Sequence, residues 1–304
     1  MLDLAIIGAG AAGTTAALYA LRANLDVLII EKEICGGQLF SASKIENYPG
    51  IKNISGPELA KILYSQVNNI GGKFLYEEVI EANLKGKVKT LKTKNRTIES
   101  KTVIIANGLK RRLLNCPGEN KLTGKGVSYC ATCDGALFKG KKVAIVGGGN
   151  TAIHDALYLS KICNQVILII RKNNFKAENY LVNSIKNKTN ISYLFNSTIT
   201  KICGNNQNVT GIEIINKLNN KISIPLDGVF IDIGYETNNK IFETQLVTDK
   251  YGYFISDENC KTNIDGVYVA GDCRQKNLHQ IVTATYDGSM ASTNAIQYIL
   301  KEGL

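Results

Sequence analysis

One short glycine pattern occurs twice in this chain, and the repeat constrains the fold more than any other feature. The first copy, GAGAAG at residues 8–13, follows an apolar run and leads into a helical pattern over residues 14–22. The second, GGGNTA at residues 147–152, also lies between an apolar run and a helical pattern. A glycine turn between a strand and a helix exposes backbone N–H groups that suit phosphate. Two copies predict two nucleotide cofactors, or one cofactor and a decayed copy of its binding turn.

The apolar runs predict the class of fold around these turns. Each run is short and continuous, not alternating, which is typical of strands buried on both faces of a parallel sheet. Helical patterns separate the runs, as in doubly wound folds. The fold class predicted is α/β, with two Rossmann-like dinucleotide-binding domains. The runs are residues 4–7, 27–30, 103–106, 143–146, 166–170, 229–233 and 267–270.

Breaks in this pattern indicate where one domain interrupts the other. Glycine, a basic cluster and Cys-Pro-Gly interrupt it near residues 108–117, and a second crossing is expected near residues 234–239. The closing segment again has the pattern of a strand, a loop and a long helix. We therefore predict that residues 1–109 and 240–304 form one nucleotide-binding domain, and that residues 110–239 form a second, inserted one that carries a CxxC motif.

Composition excludes several classes of protein. No apolar run approaches the roughly 18–20 residues that span a bilayer, and the opening stretch carries Asp3 where a signal peptide has basic residues. A cytoplasmic location without membrane contact is expected. The net charge of +10 comes from residues spread along the chain, without a basic tract or a nucleic-acid-binding motif. A solvated basic surface and no nucleic-acid partner are expected.

Residues of the first turn have separate steric roles. Gly8 allows the tight turn, Gly10 lets the backbone approach a pyrophosphate, and Gly13 lets the helix pack closely on the strand. The next predicted strand ends at Glu31, whose carboxylate can accept hydrogen bonds from ribose hydroxyls. A purely structural glycine turn is the alternative. The complete strand, turn and helix context favours a dinucleotide.

The second turn is followed by positive charge instead of a carboxylate. Arg171 and Lys172 come directly after the next apolar run, and Lys176 lies one turn further on. Positive charge at this place suits a 2′-phosphate and favours NADPH over NADH. A solvated basic turn remains the alternative, because lysines are common in loops and form no bidentate fork.

A Cys-Ala-Thr-Cys motif carries the predicted chemistry. Its spacing puts Cys130 and Cys133 within disulfide reach at the start of a helix, where N–H groups stabilise a thiolate. Asp134 is adjacent and can move the accompanying proton if its pKa is raised. Half of a zinc site and a buried structural pair are the alternatives. Zinc needs two further ligands at comparable spacing, which the sequence lacks, so no metal is expected.

Taken together, these blocks resemble the low-molecular-weight thioredoxin reductases over essentially the whole chain. The matching blocks, in order, are GAGAAG, EKEICGGQL, IENYPG, PGENKLTGKGVSYCATCDG, GGGNTA, IRKNNFKAE and AGDC. The resemblance implies a homodimer that reduces oxidised thioredoxin with electrons from NADPH. In the family these pass through FAD and the cysteine disulfide. It also implies that Cys130 attacks the partner, that Cys133 faces the flavin, and that Asp134 is the acid and base.

The resemblance also assigns the cofactor-binding residues. FAD would be held by Gly8, Gly10, Gly13, Glu31, Gly36, Gly37, Gln38, Asn47, Asp272, Gln280 and Ile281. NADPH would be held by Gly147, Gly149, Asn150, Thr151, Ala152, Arg171, Lys172 and Lys176. Asp272 also follows an apolar run, so residue reasoning alone leaves it open between a ligand-binding carboxylate and a turn residue.

Departures from the family pattern keep other functions in view. The usual His-Arg-Arg…Arg signature is here Ile170-Arg171-Lys172…Lys176, and His279 stands where the family has Arg. A related flavin-dependent disulfide reductase that uses another donor, such as ferredoxin, is therefore the main alternative. A flavin NADPH oxidase or a ferredoxin–NADP reductase is a second, but relatives with those activities tend to lack the CxxC motif. A non-enzymatic flavin sensor is the alternative from a different class.

Overall fold

The chain divides into two compact units in a computed structural model, which describes residues 1–42, 44–205 and 207–303. The first unit consists of Met1–Lys110 and Tyr235–Leu304, and the second is Arg111–Gly234. The division at 110/111 lies one residue after the predicted boundary at 109/110. The division at 234/235 lies five residues before the predicted one at 239/240.

The first unit begins with a strand, the first glycine turn and a helix. Its elements up to the first crossing are β1 (Leu2–Ile7), α1 (Ala11–Arg22), β2 (Val27–Glu31), α2 (Gly56–Asn68), β3 (Lys73–Tyr76), β4 (Glu81–Asn83), β5 (Lys89–Lys92), β6 (Thr97–Ile105) and β7 (Leu109–Arg111). A 3-10 turn at Gly37–Ser41 separates β2 from α2.

The second unit repeats the strand, turn and helix order after a short helix that begins directly after Cys130. Its elements are α3 (Glu119–Leu122), β8 (Val127–Ser128), α4 (Ala131–Asp134), β9 (Lys142–Val146), α5 (Asn150–Leu159), β10 (Gln165–Ile169), α6 (Asn179–Lys186), β11 (Ile191–Leu194), β12 (Thr198–Gly204), β13 (Val209–Ile215), β14 (Lys221–Pro225) and β15 (Gly228–Ile231).

The chain then returns to the first unit. The returning elements are β16 (Tyr235–Thr237), 3-10 turns at Lys240–Phe242 and Gly271–Cys273, β17 (Val267–Val269) and α7 (Ile281–Glu302). Strand β17 pairs in parallel with the end of β6, so the last part of the chain completes the sheet that the first part began. None of the helices in the described part of the chain is long and apolar enough to cross a membrane.

The principal sheet of each unit has its glycine turn at the end of a central parallel strand. In the first unit the order is β3-β2-β1-β6-β5-β4, with β17 also on β6. In the second the order is β11-β10-β9-β15-β8, and every pair is parallel. The predicted α/β class with two dinucleotide-binding domains is confirmed. A separate antiparallel sheet, β12-β13-β14, belongs to the second unit.

Both faces of the first sheet are covered, which explains why its strands are continuously apolar. Along β1, Leu4 and Ile6 face one buried cluster while Ala5 and Ile7 face another. Helices α1 and α7 pack closely on the first of these faces, where a Cβ on Gly288 would lie 2.2 Å from the carbonyl oxygen of Ala12. This close packing holds the amino terminus of α1 at the end of β1.

Candidate functional site

The first glycine turn leaves open space in front of a helix terminus. Gly10 is the residue before α1, no side chain caps the helix, and a Cβ on Gly10 would meet nothing within 4 Å. By contrast, a Cβ on Gly13 would lie 1.8 Å from the carbonyl oxygen of Gly8. Gly8 itself has φ +102°, in the region that favours glycine. Backbone N–H groups of α1 are therefore available to an anion.

The carboxylate of Glu31 lies beside this turn. It accepts a hydrogen bond of 2.8 Å from the N–H of Ala9 and one of 3.0 Å from the N–H of Glu33. The N–H of Gly36 donates to the carbonyl oxygen of Ala9 at 2.8 Å, which brings the loop after β2 against the turn. Glu31 is held at the end of the strand next to β1, as the sequence predicts for a ribose-binding carboxylate.

The family resemblance assigns further residues to FAD binding. Hydrogen bonds connect two of them to distant parts of the first unit. Asn47 donates from Nδ2 to Oε1 of Gln280 at 3.0 Å, just before α7 begins at Ile281. Gln38 donates from Nε2 to the carbonyl oxygen of Leu109 at 3.0 Å. Gly36 and Gly37 both have positive φ, so this loop turns sharply. The loop after β2 and the start of α7 therefore lie side by side in the first unit.

Two buried polar atoms near the end of β17 lack hydrogen-bond partners among the described residues. They are Oδ1 of Asp272 and Nε2 of His279. Oδ1 of Asp272 lies 3.6 Å from Nζ of Lys276, in a long ion pair. Burial raises the pKa of Asp272 and lowers that of His279. Unpaired buried polar groups are costly, so this place suits a polar group of a ligand.

The second glycine turn has the same form as the first. Gly149 precedes α5 without a side-chain cap, and a Cβ there would meet nothing within 4 Å. The N–H groups of Lys176 and Ala177 donate to the carbonyl oxygen of Gly148 at 2.7 and 3.1 Å. These bonds bring the loop after β10 to the turn. A Cβ on Gly147 would lie 2.4 Å from the carbonyl oxygen of Asp232, the residue after β15. The end of β15 therefore packs directly on the turn.

The basic residues predicted for the 2′-phosphate lie in that loop. Arg171, Lys172 and Lys176 are all exposed. Asn150 opens α5 and exchanges two hydrogen bonds with Glu178, at 3.2 Å to its carboxylate and 2.9 Å from its N–H. Thr151 and Ala152 follow in the first turn of α5. The predicted NADPH-binding residues are thus arranged around one helix terminus.

The two cysteines of the motif are bonded to each other. Cys130 and Cys133 form a disulfide whose Cα atoms are 5.3 Å apart. Cys130 is the residue before α4, and its Sγ accepts a hydrogen bond of 3.2 Å from the N–H of Cys133. Cys133 is exposed and Cys130 is half-buried. The predicted helix start is confirmed, although α4 has only four residues before it continues as a 3-10 turn.

Asp134 has the raised pKa that its predicted role requires. Burial raises the pKa of its carboxyl, while a hydrogen bond from Ser128 and the charge of Arg111 oppose the shift. The Ser128 bond, from Oγ to Oδ2, measures 2.6 Å. Sequence reasoning missed Ser128, although its position two residues before Cys130 was the available signal. A carboxyl that holds its proton closer to neutral pH suits acid catalysis.

The six remaining cysteines differ in how far they are buried. Cys35, Cys163, Cys260 and Cys273 are buried, whereas Cys116 and Cys203 are partly exposed. Burial raises the pKa of Cys35, Cys260 and Cys273 to about 12 and that of Cys163 to about 11. These four thiols are therefore un-ionised at neutral pH and poor nucleophiles.

Known proteins share these features over the whole chain. The family described as pyridine nucleotide-disulphide oxidoreductase matches residues 2–288. The chain is 40% identical to the thioredoxin reductase of Listeria monocytogenes, over 99% of this chain and 96% of that one. It is 42% identical to that of Mycoplasma genitalium, over 95% and 92% of the two chains.

A solved structure agrees with these relatives. The crystal structure of thioredoxin reductase from Streptococcus pyogenes superposes with a TM-score of 0.96 at 38% identity, covering 99% of both chains. Fold, site and relatives define one class of protein, the flavin- and nicotinamide-dependent disulfide oxidoreductases. The chain belongs to the pyridine nucleotide-disulphide oxidoreductase family and, within it, to the low-molecular-weight thioredoxin reductases.

Proposed function

We propose that this chain transfers two electrons from NADPH, through bound FAD and the Cys130–Cys133 disulfide, to the disulfide of an oxidised thioredoxin. The observation that carries the proposal is the bonded cysteine pair next to Asp134, whose pKa is raised by burial. The cysteine pair and Asp134 lie in a chain with two glycine turns, each of which leaves open space in front of a helix. Full-length similarity to thioredoxin reductases supports the choice of acceptor.

The first unit suits FAD. Open space at Gly10 and the uncapped terminus of α1 fit a pyrophosphate, and the Glu31 carboxylate at the end of β2 fits ribose hydroxyls. The unpaired buried atoms of Asp272 and His279 fit polar groups of the same molecule. When bound, FAD supplies the two-electron relay between the nicotinamide and the disulfide. We assign residues 1–109 and 240–304 to FAD binding.

The second unit suits NADPH. The terminus of α5 is open in front of Gly149, and Asn150, Thr151 and Ala152 form its first turn. The exposed cations Arg171, Lys172 and Lys176 favour a ribose that carries a 2′-phosphate. We assign residues 110–239 to NADPH binding and to presentation of the cysteine pair.

The cysteine pair performs the exchange with the partner. After two-electron reduction, the Cys130 thiolate attacks one sulfur of the partner disulfide, forming a mixed disulfide and releasing a partner thiolate. Cys133 then attacks Cys130 Sγ, which re-forms the Cys130–Cys133 bond and releases the second partner thiolate. Asp134 gives up a proton to a leaving thiolate and takes one back from the attacking thiol. Two electrons thus leave the dithiol and reduce the partner.

An anaerobic titration tests the donor. NADPH added to the FAD-loaded protein is expected to bleach the flavin absorbance. If NADPH leaves the flavin oxidised while reduced ferredoxin bleaches it, the donor assignment is wrong and the ferredoxin-dependent alternative holds. If neither donor supports turnover with thioredoxin, a non-enzymatic flavin sensor remains.

A cysteine substitution tests the relay. Cys133→Ser is expected to abolish thioredoxin reduction and to leave flavin reduction by NADPH intact, because only the later exchange needs the disulfide. Cys203→Ser is the matched control, since Cys203 is a partly exposed free thiol of the same unit. Thioredoxin reduction that survives Cys133→Ser would contradict the proposed relay.

We also propose that the protein works as a homodimer in the cytoplasm. Its resemblance to the low-molecular-weight thioredoxin reductases over the whole chain supports both statements. Sedimentation of the FAD-loaded protein at micromolar concentration is expected to give twice the chain mass of 33.1 kDa. A single-chain mass would contradict the dimer.

A further inference from the structure

A buried cluster of charged side chains lies next to Asp272 in the first unit. At its centre is Asp287 on α7, which is only 2% exposed. Its Oδ1 accepts a hydrogen bond of 2.8 Å from Nη1 of Arg274, and its Oδ2 accepts one of 3.0 Å from Nζ of Lys276. These three residues have no part in the electron relay or in the FAD-binding set proposed above.

Asp287 also holds the backbone next to Asp272. Its Oδ2 accepts a second hydrogen bond, of 2.9 Å, from the N–H of Gly271. Gly271 has φ +80°, and a Cβ there would lie 2.9 Å from the Cβ of Ala12 on α1. The turn that carries Asp272 is therefore fixed by close packing on α1 and by a hydrogen bond to α7.

Lys276 extends this hold to the side chain of Asp272. Its Nζ lies 3.6 Å from Oδ1 of Asp272, and the two side chains are 12% and 26% exposed. The two charges attract at that distance, but Oδ1 keeps no hydrogen-bond partner among the described residues. Burial raises the pKa of Asp272, and the charge of Lys276 opposes that shift. The ammonium thus favours the ionised carboxylate and leaves its oxygen free to accept from a ligand.

Lys276 is not needed to neutralise Asp287. Arg274 already forms an ion pair with Asp287, in which the side chains are 8% and 3% exposed. The guanidinium is held in place separately, because its Nη2 donates to the carbonyl oxygen of Asp257 at 3.0 Å. The cluster therefore contains two cations and two carboxylates, and the second cation, Lys276, serves Asp272.

A third contact fixes the ammonium of Lys276 at the start of α7. Nζ donates to Oγ1 of Thr283 at 3.4 Å. The same oxygen accepts a hydrogen bond of 3.1 Å from the N–H of Gln280, the residue before α7. The ammonium thus lies between the turn that carries Asp272 and the first turn of α7. Both turns contain residues proposed to bind FAD.

We propose that Lys276, held by Asp287, is a positioning residue for FAD binding that keeps the Asp272 carboxylate in place and charged. An ionised carboxylate accepts stronger hydrogen bonds from the hydroxyl groups of a cofactor than a neutral carboxyl does. Lys276 acts through Asp272 and needs no contact with the cofactor. The inference rests on the proposed assignment of Asp272 to FAD binding.

The experiment measures FAD dissociation from the full-length, FAD-loaded protein. Each variant is diluted through a concentration series, and the fluorescence of released flavin gives the Kd. Lys276→Met removes the ammonium, so the Kd for FAD is expected to rise about tenfold. Lys101→Met is the matched control, because Lys101 forms an ion pair of 2.7 Å with Asp3 in the same unit, with side chains 18% and 22% exposed. It should leave the Kd unchanged.

A double-mutant cycle separates positioning from a general loss of structure. Asp272→Asn removes the charge of the carboxylate and is expected to weaken FAD binding by itself. If Lys276 acts through Asp272, adding Lys276→Met to Asp272→Asn should raise the Kd by no more than about twofold. A merely structural role would raise the Kd by the same factor in both backgrounds. Circular dichroism checks each fold, and Lys276→Gln, which keeps a donor for Asp287, takes the place of Lys276→Met if that variant does not fold.

The outcomes distinguish this inference from the proposed function. If Asp272→Asn weakens binding, but Lys276→Met has no effect or has the same effect in both backgrounds, the positioning role is overturned and the FAD site stands. If Asp272→Asn binds FAD as tightly as wild type, the assignment of Asp272 is wrong and this inference is wrong with it. A wild-type protein that binds no FAD would overturn the proposed function itself.

Discussion

Ser128 Oγ donates a hydrogen bond of 2.6 Å to Asp134, and the same oxygen accepts one of 3.1 Å from the N–H of Cys130. A single buried hydroxyl therefore joins the proposed acid to the backbone of a redox cysteine. The bond stabilises the ionised form of Asp134, while burial of the carboxyl works in the opposite direction and raises its pKa. Ser128, a residue outside the cysteine motif, thus lowers the proton affinity that burial gives Asp134.

Replacing Ser128 is expected to shift the pH profile of thioredoxin reduction. Ser128→Ala removes a donor to the charged form, so the pKa of Asp134 rises further. Because the acid must be protonated to act, the limb where kcat/KM falls with rising pH should move to higher pH. Ser197→Ala is the control, since both serines are 4% exposed and lie in the same unit. An unchanged limb in Ser128→Ala would contradict a role for this bond.

Two glycines of the first turn are expected to respond differently to alanine. Gly13→Ala places a Cβ 1.8 Å from a backbone oxygen, so α1 must shift and both stability and flavin content should fall. Gly10→Ala has free space within the protein, but its methyl group would point into the proposed phosphate site. We expect Gly10→Ala to fold normally and to lose flavin. Thermal unfolding of the apoprotein and flavin absorbance per chain measure the two effects, and a fully flavin-loaded Gly10→Ala would contradict the assignment.

Removing the basic residues after β10 is expected to change nucleotide preference. The double variant Arg171→Ala, Lys172→Ala loses two cations proposed to contact the 2′-phosphate, so the KM for NADPH should rise about tenfold or more. The KM for NADH should stay the same, because NADH lacks that phosphate. Lys188→Ala, another exposed cation of this unit, is the control. Equal rises in the KM for NADPH and the KM for NADH would show that the cations do not recognise the 2′-phosphate.

Asp232 is expected to make the folded protein less stable as pH rises. Its pKa is raised in the folded chain, so the unfolded chain releases this proton at lower pH, near the usual Asp value of about 4. Above that value the unfolded state binds fewer protons, and the free energy of unfolding falls with pH. Asp232→Asn removes the ionisable carboxyl and, with it, this fall in the free energy of unfolding.

Thermal unfolding at two pH values measures the effect. Asp232→Asn should unfold about 2–4 °C above wild type at pH 7.5 and at the same temperature at about pH 4. Both proteins are compared at equal flavin loading. A difference that is equal at both pH values would point to packing instead of ionisation.

Local features of the chain were predictable because their determinants lie within a few residues. The glycine turns, the disulfide between Cys130 and Cys133, and the carboxylate of Glu31 at the end of β2 all follow from short stretches of sequence. Continuous apolar runs likewise predicted parallel strands, since both faces of each sheet are covered. The turn of the chain back into the first unit was predictable from the returning strand pattern at β17.

Other features depend on residues that meet only after folding. The bond between Asn47 and Gln280 joins parts of the chain that are distant in sequence, and so does the electrostatic interaction between Asp155 and Asp232. No local pattern marks either pair. The partly exposed Cys116 and Cys203 illustrate the same limit, because cysteine alone does not say how much of its side chain its neighbours will cover.

The sequence by itself determined the α/β class, the two glycine turns and the chemistry of the cysteine pair, since each depends on backbone conformation and spacing within one segment. Only the tertiary structure decided how strongly the nearby carboxyls hold their protons. Proton affinity depends on burial and on neighbouring charges, and for Asp134, Asp155 and Asp232 both are supplied by packing between separate elements.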